Sequence, residues 1–164
     1  MNVTISKTDS MARTVVIDLS LLCVMCLVPT LSHVFTLPLY ILNPMLMCLL
    51  AGVLLVESRA NAYILAVLMP VVSMLITGMP IPPKAMCMVV ELASVVAVLH
   101  LLENKVPHFI AVMSAVLAGK VVFYLLKALV LTPAVLFETN IVVQIIVAVA
   151  IAGVYAFVRK RQTK

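Results

Sequence analysis

Long apolar runs alternate with short polar interruptions along all 164 residues of the chain. A helix needs about 20 residues to cross a ~30 Å hydrocarbon core. Pro, Gly and charge divide the sequence into runs of that order at about 14–35, 38–56, 61–78, 84–102, 107–131 and 135–158. The connectors ESRAN, TGMPIPP, LENKVP and LTPA hold the helix breakers and most of the remaining charge. None is long enough for a soluble domain. The pattern therefore predicts an all-α integral membrane protein, a single six-helix domain over residues 1–164.

Composition strengthens this reading. Sixty-five per cent of residues are hydrophobic and 10% are charged, with a mean hydropathy of +1.29; a soluble domain would carry about a quarter charged residues. The net charge of +5 is not gathered into a patch for nucleic acid. It is distributed as a topology signal instead. With both termini cytoplasmic, Lys7, Arg13, Arg59, Lys105, Arg159, Lys160, Arg161 and Lys164 lie inside, and Lys84 alone lies outside. An even number of spans is required, and six satisfies it. Lys7 and Arg13 before an apolar run imitate a signal peptide. The run continues to about Phe35 without an A-x-A site, which predicts an uncleaved first span.

Four ionisable residues fall within the runs: Asp18, Glu91, Lys120 and Lys127. Each costs ~2.5–3.5 kcal/mol near a helix centre on insertion scales, so a functional site is the default expectation. At 1.5 Å per residue, Glu91 lies roughly 10 Å below the outer surface, Lys127 about 8 Å and Lys120 about 18 Å. Asn140 and Gln144 enter with the last span, at about 5 and 10 Å. Lys120, Tyr124 and Lys127 are spaced i, i+4, i+7, and Asn140 and Gln144 i, i+4, so each set shares a helix face. Three consecutive helices thus direct polar groups into the outer half. Two ammonium groups against one acid leave room for an anionic solute, with Glu91 orienting a lysine. The competing expectation is a structural ion pair between Glu91 and a lysine. Asp18, a turn from the cytoplasmic end of its span, suits snorkelling or a partner contact.

Other signals are weaker. Cys23-x-x-Cys26 has redox spacing without a second ligand pair, and it reads as packing, like Cys48 and Cys87. His33, His100 and His108 do not converge, and the methionines read as apolar filler. Ala111, Ala115 and Gly119 form a ladder of small residues, as do Ala148, Ala152 and Ala156, which permits close helix approach. No phosphate-loop, G-x-S-x-G or H-E-x-x-H motif is present, so the chain reads as a non-enzyme that needs no cofactor of its own.

The stretches NPMLMCLLAGVLL and LMPVVSMLITGMPIPPKAMCMVVELASVVAVLHLLE, within the six-span layout, resemble the substrate-binding S component of an energy-coupling factor (ECF) transporter. The echo is a Pro-bearing third span (Pro70) running into Thr77-Gly78-Met79-Pro80. Pro82 or Pro83, Met86 or Met88, and Glu91 to Ala93 then follow as P-x-x-x-M-x-x-x-E-L-A. The layout covers nearly the whole chain and the motif roughly residues 43–103. The resemblance implies a vitamin-capturing subunit of the bacterial cytoplasmic membrane, partnered by a transmembrane coupling subunit and two ATPase subunits that use the ATP. It implies a ligand held in the outer half by helices 4–6 and the first and third outer loops, where His33, Phe35, Thr77 and Gly78 are candidate contacts. The T-G-M-P turn is similar to the pantothenate branch. The chain departs from the family on helix 1, which lacks an A-x-x-x-A docking pattern. Asn2 stands where metal-carrying members have His, against a metal cargo. The alternative expectation is a six-span membrane scaffold without a solute.

Overall fold

The structure is a computed structural model in which residues 7–34, 42–130 and 141–162 are described. It contains α1 (Lys7–Val34), α2 (Pro44–Val56), α3 (Arg59–Thr77), α4 (Pro82–Leu102), α5 (His108–Val130) and α6 (Ile141–Gln162), with no strand among the described residues. Five of these helices are long and apolar enough to cross a membrane. The sixth, α2, has 13 residues, which span only ~20 Å. Positions 38–41, assigned to that span from the sequence, lie outside the described residues, as do 131–140. α1 is already helical at Lys7, ahead of the apolar run that begins at about 14.

Local chemistry sets the boundaries. α2 opens with Pro44, whose missing N–H is no loss in a first turn. It closes on Glu57, which adopts a left-handed backbone (φ 52°) and donates its N–H to the Val53 carbonyl at 3.3 Å. Ser58 follows at once as the cap of α3, its Oγ accepting from the Asn61 N–H at 3.4 Å. α3 ends on Gly78 at φ 71°, a conformation that glycine adopts without strain. Pro82 and Pro83 then start α4.

Packing follows the chain. Each helix contacts the next, except that α1 leans on both α2 and α3, and α2 reaches α6 to close the bundle. Leu49, Leu65, Met69, Val95, Leu99 and Val112 fill its centre, all essentially inaccessible. The outward faces are equally apolar: Val16, Leu75, Leu125, Leu129, Ile146 and Phe157 are all more than half exposed. In water that surface would be an aggregation liability. Facing lipid, it satisfies the requirement that only backbone-satisfied helices meet the hydrocarbon. α1 is the least enclosed helix, with Met25 its one described residue in the buried core.

Candidate functional site

The α4–α5 seam is where polarity enters the apolar interior. Ala111, Ala115 and Gly119 are fully buried along α5 and lie one helical turn apart. Their small size lets α5 approach α4 closely. A methyl group built on Gly119 would sit 2.5 Å from Val95 Cγ2 and 3.2 Å from the Glu91 carbonyl oxygen. Glu91 and Gly119 are therefore level. The depths estimated from helix length, which separated Glu91 from Lys120 by about 8 Å, treat the helices as upright and flush, and the structure corrects them.

From the next position, Lys120 extends its Nζ to Glu91 Oε1 at 2.7 Å. The carboxylate side chain is 7% exposed and the lysine 26%. One turn further, the ring of Phe123 lies between two ammonium groups, with Lys120 Nζ 5.5 Å and Lys127 Nζ 5.8 Å from its centroid. Cation–π attraction of this type contributes ~0.5–2 kcal/mol per contact. Lys127 is 2% exposed, a deep position for an ammonium group.

Tyr124 turns to α6, where its hydroxyl and the Gln144 amide are within 3.0 Å and 2.8 Å in two hydrogen-bonding contacts. The candidate residues thus fall into two adjoining groups. Lys120 and Lys127 both approach Phe123, with Glu91 paired to Lys120, while Tyr124 and Gln144 join α5 to α6. Thr77 and Gly78 build the α3–α4 turn. Thr77 Oγ1 lies 2.8 Å from the Ser73 carbonyl and 3.0 Å from that of Met79, and Ser73, itself buried, donates to Met79 at 2.9 Å. His33 lies in the last turn of α1. Phe35 and Asn140 lie outside the described residues.

Phe123 went unnoticed in the sequence reading, although its place three residues after Lys120 and four before Lys127 is the available signal. A larger omission lies at the end of the bundle where α1 begins and α6 ends. There Arg159 of α6 bonds Glu57 through Nη1 and reaches Glu103 Oε1 through Nη2 at 3.4 Å. Tyr155 donates to the same Glu103 oxygen at 3.5 Å, and His100 Nδ1 stands 3.9 Å from its other oxygen. Nearby, Asn61 Nδ2 donates to Asp18 Oδ1 at 3.0 Å, so the α1 carboxylate is held by α3. Among the described residues no cluster of three or more His, Cys, Asp or Glu could hold a metal ion, and all four cysteines are free.

No protein-family model matches the chain, and neither curated proteins nor solved structures gave a match. The functional reading therefore stands on this geometry and on the sequence resemblance alone.

Proposed function

We propose that this chain is the solute-capturing S component of an ECF-type importer in a bacterial cytoplasmic membrane. It binds a small carboxylate-bearing vitamin or precursor, pantothenate-like in chemistry, in the outward half of α4, α5 and α6. The observation that carries the reading is the charge arrangement at Phe123. Two lysines of one helix face flank a buried ring, one of them already engaged by Glu91, inside a segment apolar enough to lie in lipid. Concentrating ionisable groups in such a segment is costly, and it is usually found where a solute or ion is handled. In this reading Lys127 meets the carboxylate, Glu91 positions Lys120, and Tyr124, Gln144 and Asn140 face the polar body of the solute. A coupling subunit and two ATPase subunits supply the energy, because the chain carries no phosphate loop.

Isothermal titration of the purified chain with pantothenate and related vitamin acids tests the proposal. Lys127→Ala, in protein that retains its thermal transition, is expected to weaken binding by about 2–4 kcal/mol, roughly thirty- to a thousand-fold. If Lys120→Ala and Lys127→Ala both leave affinity unchanged, the anion site is wrong. If no small acid binds or co-purifies, the scaffold reading replaces it.

A further inference from the structure

A cavity of about 160 Å³ opens at the end of the bundle where α4 and α6 finish, walled in part by Arg59, His100, Glu57, Glu103 and Arg159. Its lining carries both signs of charge. Glu57 and Glu103 both pair with the guanidinium of Arg159, two carboxylates on one cation. The same lining includes Arg59, at the start of α3, which forms no ion pair among the described residues. A helix start adds partial positive charge of its own. One residue is also held in an unusual backbone to complete the arrangement: Glu57, at φ 52°, stands in a conformation that favours glycine or asparagine.

These features narrow the ligand. A simple anion would meet Glu57 and Glu103, and a simple cation would meet Arg59 and Arg159. A zwitterion with adjoining phosphate and primary ammonium groups satisfies both signs of charge, phosphate toward Arg59, ammonium toward the two carboxylates. The location fits the same chemistry. Glu103 caps the end of α4, Arg59 opens α3 and Arg159 lies in the last turn of α6, so the cavity marks the boundary of the apolar spans, where lipid headgroups lie. We infer that this cavity is a binding site for a phosphoethanolamine group, as carried by an aminophospholipid or by the free headgroup. The inference is independent of the solute site, since it uses none of its residues.

Native mass spectrometry of the delipidated full chain tests this with matched-chain phosphatidylethanolamine, phosphatidylcholine and phosphatidylglycerol. Phosphatidylcholine keeps the charges but has no ammonium N–H, and phosphatidylglycerol lacks the cation. Phosphatidylethanolamine is expected to bind at least tenfold more tightly than either. Glu57→Gln should abolish that preference, and Arg59→Ala should weaken all three lipids alike; Arg59 is exposed, so its loss leaves the fold intact. Competition by soluble phosphoethanolamine separates the sources. Displacement at concentrations close to those of the lipid assigns recognition to the headgroup alone, whereas displacement only at far higher concentration assigns a share to the acyl chains. Equal retention of the three lipids, a preference that survives Glu57→Gln, or unchanged retention in Arg59→Ala would overturn the site.

Discussion

Replacing the two members of the Glu91–Lys120 pair, singly and together, gives the sharpest test of how the α4–α5 seam is built. At 2.7 Å two unit charges attract by ~6 kcal/mol at an effective dielectric of ~20. Desolvation opposes most of this gain, so the net worth of the pair is far smaller than its gross attraction. The penalty for breaking it is not small, because one buried charge is left behind. Removing one partner of a buried pair generally costs about 3–5 kcal/mol. Here the two single changes should differ. Lys120→Met strands a carboxylate that is 7% exposed, whereas Glu91→Gln strands an ammonium group that is 26% exposed and leaves an amide oxygen to accept its bond. Lys120→Met should therefore approach the full penalty, and Glu91→Gln should fall at about 1–3 kcal/mol.

The double variant removes both charges, and its cost should be less than the sum of the single costs by at least about 1 kcal/mol. Unfolding of the detergent-solubilised chain, followed by circular dichroism on all four proteins, supplies the cycle. An additive cycle would refute the argument. So would a Glu91→Gln penalty larger than that of Lys120→Met, since the exposure difference would then play no part. The same four proteins separate structure from binding: a purely structural pair lowers stability while solute affinity in the folded fraction stays constant.

Two further outcomes follow from the packing and from the charge distribution. Gly119→Ala should destabilise by about 1–3 kcal/mol through overpacking, less up to ~1 kcal/mol gained in helix propensity; on a Val95→Ala background, which removes the Cγ2 at 2.5 Å, the penalty should shrink, and a constant penalty in thermal unfolding would show that α4 and α5 are further apart. Single-cysteine variants at 84, 59 and 105, made after removing the native cysteines, should react with an impermeant thiol reagent outside intact cells only at 84; labelling at 59 would invert the proposed orientation.

What the sequence made legible was the part that depends on neighbours along the chain. Apolar runs and their breakers located the helices, because a span is a local property: about 20 residues without charge. Ser58, Gly78 and Pro82 fall where α3 ends and begins and where α4 starts, as capping chemistry requires. Relative depth was harder to read. A rise of 1.5 Å per residue places a residue along its own helix but says nothing about how two helices slide past each other, and only the packing of Gly119 against Glu91 brings Lys120 level with its partner. Rotation was half legible. At about 100° per residue, Lys120, Tyr124 and Lys127 fall within one broad sector. That sector spans two neighbours, which is why Tyr124 meets Gln144 on α6 while Lys120 meets Glu91 on α4.

The charged end was hidden for a different reason. Glu57 and Arg159 are 102 positions apart, and no local pattern relates them. Counting Lys and Arg side by side treats Arg159 as a marker of orientation, and the tally would be the same had it pointed into solvent. The acids beside it carry almost no weight in that tally, yet they decide what the end of the bundle can do. Glu57 and Glu103 turn one of the counted cations into a tie between α2, α4 and α6, and Arg59 lines the same cavity. A topology count therefore predicts which side the charges occupy, while the pairing among them, set only once the helices pack, determines whether that side is a bare basic surface or a site lined by both signs of charge.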